Sequence, residues 1–304
     1  MSFNLTILGS NSAVPAHKRY PTAQLLQHKQ NRFLIDCGEG TQFQMIKYHI
    51  KRAKLDNIFI SHLHGDHYLG LVGLISTLML NGRTEDLHIY APAYLEKILA
   101  VNLQSNRDKV WTFKIVFHAL TFNKSYQIFE NDDLEVFTIP LDHKIECNGF
   151  LFKEKLADRK IIPEKIKEFE IPYVEINEIK KGADFVTKDG KTIKNELLTL
   201  ASGKPKSYAY CSDTKYNESI IPIIEGADLL YHESTFMHDL EEIAGERYHS
   251  TSIQAATIAE KAKVKQLAIG HFSARYRDLN DMLLEAQTVF KNTALAIEGT
   301  VFEI

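Results

Sequence analysis

Residues 59–70 read FISHLHGDHYLG and crowd four potential metal ligands into six positions. They are His62, His64, Asp66 and His67. The overlapping NIFISH is typical of a β-strand, in which residues two apart face the same side, so the first two histidines can face one point. We expect Gly65 to allow the turn that leads into the apolar helix after it. Burying four such groups without a metal would leave polar atoms without partners, so the pattern H-x-H-x-D-H predicts a metal site.

Further ligands are expected where other strands end. Zn²⁺ favours imidazole and carboxylate ligands, and two metals need more than the four ligands of this pattern. The segments LEVFTIPLDH, SYAYCSDT and QLAIGHF each carry a histidine or an aspartate at or just after a strand-like run. The predicted ligands are His62, His64 and His143 for one metal, Asp66, His67 and His271 for the other, and Asp213 as a bridge.

Bulk composition limits the classes of protein that the chain can belong to. The 304 residues are 44% hydrophobic and 25% charged, with a formal net charge of −3, as expected for a globular protein without a polyanion-binding excess of cations. The apolar runs are too short to cross a bilayer, and the N-terminus does not resemble a signal peptide. Three cysteines that are far apart and lack C-x-x-C spacing favour the reducing cytoplasm. We predict a cytoplasmic protein that has no membrane partner.

Strand-like and helical patterns alternate along the chain. RFLIDC, NIFISH, LHIYAP, SYAYCSD and QLAIGHF are typical of strands, whereas EGTQFQMIKYHI, YLEKILAVNLQ and SIQAATIAEKAK are typical of helices. The C-terminal LAIEGTVFEI reads as one strand-like run. This mixture predicts an α/β protein whose sheets are covered on their outer faces by helices.

Residues 151–206 differ in amino-acid composition from the rest of the chain. The segment is highly charged, with 13 Lys/Arg against 10 Asp/Glu, and has turn residues at Pro163, Gly182 and Gly190. We interpret it as an insertion that projects from a single domain spanning residues 1–304. Charge runs are often no more than a solvated surface, so this segment by itself leaves open whether it binds a partner.

Seven motifs spread along the chain carry a family resemblance. They are ILGSNSAVP, FLIDCGEGTQ, FISHLHGDHYLGLVGL, AYCSDT, YHESTF, YHSTS and IGHFSARY. Enzymes of several activities share the histidine-rich motif, but the combination with HESTF, HSTS and HFSARY resembles ribonuclease Z, which trims the 3′ trailer from precursor tRNA. The resemblance implies a four-layer αββα metallo-β-lactamase fold with a projecting tRNA-binding arm at 151–206. It also implies two Zn²⁺ or other divalent ions per subunit, precursor tRNA as the partner and a homodimer.

The resemblance also implies roles for individual residues. Asp66 is expected to accept a proton from the attacking water as well as to bind metal. We expect His249 of YHSTS, oriented by Glu233, to protonate the leaving oxygen, although a loop-stabilising hydrogen bond is the alternative for this histidine. Hydroxide activated by two metals would attack phosphorus and leave a 3′-hydroxyl on the tRNA and a 5′-phosphate on the trailer. Asp36 is interpreted as a hydrogen-bond partner of a ligand histidine.

Substrate contacts are predicted less directly. Lys18, Arg19 and Arg275 are candidates for contacts with phosphates near the cut, although each alone could be an ordinary surface cation. Two features depart from the family pattern. Tyr20 stands where the family often has asparagine, and the arm lacks the family's Gly-Pro pair.

The sequence leaves two other functions open. A small-molecule phosphodiesterase or other hydrolase could use the same two-metal centre, and it would need no arm and would not cleave structured RNA. A non-enzymatic RNA-binding module with structural zinc would instead close the coordination sphere and leave no position for water.

Overall fold

The computed structural model describes residues 3–103 and 112–304, and the chain divides into two compact units. The larger unit comprises Met1–Phe129, Val136–Phe152 and Ser207–Ile304, and the smaller one comprises Glu130–Glu135 and Lys153–Lys206. Across those described ranges, no helix combines the length and the apolar character that a membrane span requires.

Strands and helices alternate over most of the described chain. The strands are β1 (Phe3–Gly9), β2 (Ala23–His28), β3 (Asn31–Cys37), β4 (Asn57–Phe59), β5 (Leu87–Pro92), β6 (Ile115–Leu120), β7 (Gln127–Glu130), β8 (Leu134–Pro140), β9 (Asn148–Glu154), β10 (Lys160–Ile161), β11 (Phe185–Val186), β12 (Thr192–Ile193), β13 (Thr199–Leu200), β14 (Ser207–Cys211), β15 (Leu229–Glu233), β16 (Gln266–Gly270), β17 (Thr293–Leu295) and β18 (Val301–Glu303). The helices are α1 (Thr41–Lys47), α2 (Gly65–Tyr68), α3 (Leu71–Leu80), α4 (Tyr94–Leu103), α5 (Pro163–Glu168), α6 (Ile176–Lys180), α7 (Asn195–Leu198), α8 (Ile221–Ile224), α9 (Glu241–Glu246), α10 (Ser252–Lys261) and α11 (Asn280–Gln287).

Two seven-stranded sheets form the centre of the larger unit. The first has the order β18-β1-β2-β3-β4-β5-β6, with parallel pairing from β3 to β6. The second has the order β17-β16-β15-β14-β9-β8-β7, with parallel pairing from β14 to β17. The prediction of one C-terminal strand is wrong: β17 and β18 belong to different sheets, because the chain turns at Gly299, which has a left-handed φ of 89°.

Side-chain alternation separates the two faces of each sheet. Phe33 and Phe59 of the first sheet contact Phe152 and Phe150 of the second, with ring centroids 5.6 and 5.4 Å apart. Leu34, one position along β3, belongs instead to the apolar cluster that includes α3 and α4. Helices α10 and α11 pack in the same way against the second sheet. The predicted α/β architecture with helices on both outer faces is therefore confirmed.

Close backbone contacts fix the loop that carries Asp66. A Cβ at Gly38 would lie 2.4 Å from the Asp66 carbonyl oxygen, and a Cβ at Gly70 would lie 2.2 Å from the Gly38 carbonyl oxygen. Only glycine fits at either position, so the turn after β3 lies directly against the α2–α3 segment. Gly65 is the first residue of α2 and does not have a left-handed backbone conformation.

The smaller unit has an apolar core of its own. Its buried residues are Ile171, Ile179, Phe185, Ile193 and Leu198. Helices α5 to α7 and the two-stranded pairs β10-β13 and β11-β12 surround this core. The unit begins two residues later than the predicted insertion of 151–206, at Lys153, and it also includes Glu130–Glu135.

Candidate active site

Four side chains converge beyond the ends of β4, β8 and β14. They are His62, His64, His143 and Asp213, whose potential ligand atoms all lie within 4.8 Å of one another. Nε2 of His62 and Nε2 of His143 lie 3.0 and 3.1 Å from Nδ1 of His64. Adjacent ligands around a tetrahedral zinc ion lie about 3.3 Å apart when each bond is about 2.0–2.1 Å long. The three imidazoles thus have the spacing of ligands to one cation.

A second group lies next to the first and shares Asp213 with it. Asp66, His67 and His271 also place their potential ligand atoms within 4.8 Å of one another. Nε2 of His67 and Nε2 of His271 lie 3.3 and 3.1 Å from Oδ1 of Asp213. The other oxygen of Asp213, Oδ2, lies 3.5 Å from Nε2 of His62 in the first group. Asp213 therefore directs one oxygen to each group, as a bridging carboxylate would.

The residues of this cluster fit a divalent metal. Nε2 of His67 and Nε2 of His271 are buried and make no hydrogen bond within the described chain. A buried polar atom without a partner costs about 1–3 kcal/mol, so two such nitrogens that face carboxylates are suited to binding a cation. Six imidazole and carboxylate side chains around Asp213 are a ligand set that suits zinc and related divalent ions.

Hydrogen bonds on the far side of four imidazoles fix their orientation. Nδ1 of His62 lies 3.0 Å from Ser61 Oγ, and Nδ1 of His67 lies 2.6 Å from Asp36 Oδ2. Nδ1 of His143 lies 3.0 Å from the Tyr248 carbonyl oxygen, and Nδ1 of His271 lies 2.9 Å from Thr235 Oγ1. These contacts hold Nδ1 and leave Nε2 to face the cluster. Asp36 makes the expected contact with a histidine of the cluster, His67, which is one of the predicted ligands.

Electrostatics differ between the two groups. Burial, reinforced by the neighbouring His67, holds the pKa of His62 well below its ordinary value, and burial lowers the pKa of His64 and His143. These imidazoles are therefore in the neutral form that binds metal. Burial also disfavours the charged form of His67, but nearby carboxylates, first Asp213, outweigh burial and raise its pKa well above the ordinary value. A cation at the second group would displace this proton.

His249 and Glu233 lie together beside the cluster. Nδ1 of His249 is 2.8 Å from Oε1 of Glu233, which is fully buried at the end of β15. Burial disfavours the charged imidazole, but Glu233 outweighs burial and raises the pKa of His249 to about 9. One ring nitrogen of His249 lies within 4.8 Å of ligand atoms of Asp213 and His271. The pair can thus present a proton at the edge of the cluster.

The three predicted phosphate-binding residues are placed differently. Lys18 is exposed, and Arg275 is exposed with its guanidinium 5.2 Å from the ring centroid of Phe236. Arg19 is buried, and its guanidinium donates hydrogen bonds to Asn11 Oδ1 and to the carbonyl oxygen of Tyr276. Direct contact between Arg19 and a phosphate would require these bonds to break, whereas Lys18 and Arg275 are accessible as they stand.

Two contributors to the cluster were missed from the sequence. The backbone N–H of Ala13, which has a left-handed φ of 61°, donates a 2.7 Å hydrogen bond to Oδ2 of Asp66. No sequence signal marks an alanine for this conformation. Thr235 contacts both Glu233 and His271 through its hydroxyl, at 2.7 and 2.9 Å. Its position in YHESTF, two residues after the glutamate, is the signal that could have identified it.

Comparisons with known proteins show which families this chain resembles. A family model described as "Anti-Pycsar protein Apyc1" matches residues 3–203. A protein named ribonuclease Z from Bacteroides thetaiotaomicron is 46% identical to this chain, and the match covers 99% of this chain and 95% of the relative. Another protein of that name, from Cytophaga hutchinsonii, is 45% identical, and the match covers 100% of this chain and 97% of the relative.

Solved structures with the same fold include the short form of human tRNase Z and a metallo-β-lactamase fold protein, YhfI, from Bacillus subtilis. The human protein has a TM-score of 0.71 and 25% identity over 99% of both chains. YhfI has a TM-score of 0.69 and 19% identity over 100% of both chains, a likeness that concerns the fold alone. The predicted metallo-β-lactamase fold is thereby confirmed. The chain belongs to the family that the matching model describes and, by its full-length relatives, to the ribonuclease Z family.

Proposed function

We propose that this protein is a metal-dependent endoribonuclease that removes the 3′ trailer from precursor tRNA. The observation that carries the proposal is the carboxylate of Asp213, with one oxygen near each of two histidine groups. Its relatives named ribonuclease Z span nearly the whole chain, which supports this activity.

We infer that each subunit holds two divalent ions, with zinc favoured by the ligand types. The first ion would be held by His62, His64 and His143, the second by Asp66, His67 and His271, and Asp213 would bridge them. When bound, two such ions neutralise phosphate charge and lower the pKa of water. This chemistry suits a substrate that is itself anionic.

Two side chains would transfer protons during the reaction. Asp66, held at Oδ2 by the Ala13 N–H, would orient the attacking water and accept its proton. The water oxygen bonds to phosphorus as the bond from phosphorus to the 3′-oxygen breaks, and that oxygen takes a proton from His249. The products are a tRNA 3′-hydroxyl and a trailer 5′-phosphate. Glu233 would keep His249 protonated and directed at the leaving oxygen.

The smaller unit is proposed as the arm that grips tRNA. Five of its lysines are paired with carboxylates, but others form no ion pair within the described part of the chain. The described lysines without an ion pair are Lys153, Lys160, Lys167, Lys180, Lys191 and Lys204. Unpaired cations can bind phosphates without first breaking an internal pair, which supports contact with the RNA backbone.

A homodimer is proposed from apolar side chains on neighbouring helices. Phe43, Ile46 and Leu69 are 72%, 57% and 60% exposed, although they are large and apolar. Helices α1 and α3 lie side by side, since a Cβ at Gly73 would be 3.2 Å from Nε2 of Gln42. Large exposed apolar side chains on neighbouring segments favour a protein partner. Sedimentation of the wild type should give a dimer, and Phe43→Asp should give a monomer. A wild-type monomer at micromolar concentration would contradict this assignment.

We also propose a cytoplasmic location. Cys37, Cys147 and Cys211 are all free and buried, so the described chain has no disulfide that an oxidising compartment would need to form. Tagged protein should therefore be recovered with the cytoplasmic fraction of its own cells, and recovery from an extracytoplasmic fraction would contradict the assignment.

The test of the function is cleavage of a precursor tRNA that carries a 3′ trailer. We expect one cut at the end of the acceptor stem, with a 3′-hydroxyl on the tRNA, and no cut in the presence of a chelator. Small phosphodiester substrates provide the control for the rival function. Rapid hydrolysis of those substrates with no cleavage of the precursor would favour a small-molecule phosphodiesterase. Binding of the tRNA without any hydrolysis would favour the non-enzymatic RNA-binding module.

A further inference from the structure

Tyr210 lies behind the metal ligands, on strand β14 of the second sheet. Its side chain is fully buried, and its hydroxyl donates a 2.6 Å hydrogen bond to Oδ2 of Asp36. The same carboxylate oxygen lies 2.6 Å from Nδ1 of His67. A phenol on one sheet is thus connected, through a single carboxylate on the other sheet, to a ligand of the second group.

Asp36 is almost surrounded by donors. Its Oδ1 accepts a hydrogen bond from the Ser61 backbone N–H at 2.8 Å, and its Oδ2 accepts one from Ser61 Oγ at 2.9 Å. Because the carboxylate is fully buried, each donor offsets part of the cost of removing its charge from water. Tyr210 supplies the donor from the opposite sheet, so its hydroxyl limits how the carboxylate can rotate.

Burial keeps this phenol a donor. Burial, followed by the charge of Asp36, raises the pKa of Tyr210 well above the ordinary value for tyrosine. The hydroxyl therefore retains its proton throughout the physiological pH range and donates a hydrogen bond to Asp36. The ring itself stacks 5.2 Å from that of Tyr231, so the side chain has little freedom to leave this position.

We propose that Tyr210 is a positioning residue for the metal centre, acting through Asp36 to aim Nε2 of His67 at Asp66 and Asp213. This inference rests on the metal site of the proposed function, but it does not depend on the identity of the substrate. Loss of the hydroxyl should let Asp36 and the His67 ring rotate, which weakens the second metal site. Outer partners of ligand histidines typically contribute about 10–100-fold to metal affinity.

The chain offers a matched control on the same strand. Tyr208 lies two residues before Tyr210, is also fully buried, and donates its hydroxyl hydrogen to Oε1 of Gln24. Tyr208→Phe and Tyr210→Phe thus remove the same atom from the same kind of environment. Only the second substitution removes a contact that leads to a metal ligand.

The experiment measures zinc affinity by competition with a chelator, together with the absorption spectrum of the cobalt-substituted protein. Y210F should weaken the second site by about 10–100-fold and change the cobalt spectrum, whereas Y208F should leave both unchanged. Both variants should lower the melting temperature of the metal-free protein to a similar extent. Equal metal affinities in Y210F and Y208F would overturn the proposal, as would a Y210F protein that alone fails to fold.

A double-mutant cycle of Tyr210→Phe and Asp36→Asn tests whether Tyr210 acts on His67 through Asp36. Because Tyr210 acts through Asp36, adding Y210F to D36N should cost little further affinity, and fully additive losses would overturn this route. The metal measurements are independent of RNA cleavage. Failure of the wild type to process precursor tRNA would therefore refute the proposed function without affecting this result.

Discussion

Oε1 of Glu233 lies 2.8 Å from Nδ1 of His249 and also accepts a 2.9 Å hydrogen bond from the backbone N–H of Thr214. The carboxylate is thus fixed by the chain segment that follows Asp213 while it orients the imidazole. A general acid contributes about 10²–10⁴-fold to a rate, so His249→Ala should lower kcat by that order. Affinity for precursor tRNA should change much less, because the imidazole acts mainly in the transition state.

The matched control for this prediction is His238→Ala. His238 is exposed, and its contact with Glu241 is a weak surface pair of 3.7 Å. Single-turnover cleavage and filter binding would measure the two quantities separately. If His249→Ala reduced turnover and RNA binding equally, the imidazole would have no role as the acid.

Asp66 is the second residue that we propose to transfer a proton. Asp66→Asn preserves the size of the side chain and an oxygen for the Ala13 N–H, but it removes the basic carboxylate. We expect cleavage to fall by about 10²–10⁴-fold with tRNA binding retained. Asp142→Asn is the control, because Asp142 precedes the predicted ligand His143 and its carboxylate forms an exposed pair with Lys215. An active Asp66→Asn variant would rule out the assigned role.

If the smaller unit binds tRNA, its lysines should contribute to the salt dependence of the affinity for tRNA. Lys153, Lys160 and Lys167 are exposed and form no ion pair within the described part of the chain. Replacing these three by Gln should weaken tRNA binding and reduce the slope of log K against log salt by about three, with kcat unchanged. A slope identical to that of the wild type would remove these lysines from the RNA interface.

Lysines that are already paired provide the control for the arm. Lys165, Lys181 and Lys194 each lie within 2.6–3.0 Å of a carboxylate oxygen. Their replacement by Gln changes the net charge equally but removes cations that are partly neutralised within the chain. We expect a smaller change in the salt slope than for the three unpaired lysines.

The contact between Gly38 and Asp66 makes a stability prediction. A methyl group at Gly38 would lie 2.4 Å from the Asp66 carbonyl oxygen, so Gly38→Ala must displace the loop that carries this ligand. We expect a loss of about 1–3 kcal/mol in the free energy of unfolding, as for other overpacked sites, together with weaker metal binding. Gly245→Ala is the control, since a Cβ at Gly245 would have no non-neighbouring atom of the described chain within 4 Å. Equal unfolding midpoints for the two variants in urea would contradict this packing argument.

Local pattern was sufficient to predict which side chains converge in the cluster, but not the residues that support them. His143, Asp213 and His271 could be found because each follows a strand-like run, and sites in α/β sheets lie beyond the carboxyl ends of the strands. The bond between Tyr210 and Asp36 joins opposite sheets across 174 positions, and no local periodicity encodes such a pairing. The Ala13 N–H was missed for a different reason, because its left-handed backbone is imposed by its surroundings and not by its residue type.

The separation of β17 from β18 shows the same limit at the level of strands. LAIEGTVFEI has the composition of one strand, but its first residue, Leu295, ends β17 of one sheet, its Gly299 adopts a φ of 89°, and only Val301–Glu303 forms β18 of the other sheet. Alternating apolar residues predict that a segment is extended; they do not specify which sheet it enters.

The number of divalent ions bound per chain tests the central claim most directly, because the shared carboxylate of Asp213 should allow two ions to bind side by side. Native mass spectrometry of zinc-supplied protein should show two ions per chain for the wild type and for Asp142→Asn, and fewer than two for Asp213→Ala. Fully active wild-type protein with at most one ion per chain, or an Asp213→Ala variant that retains two, would contradict the account.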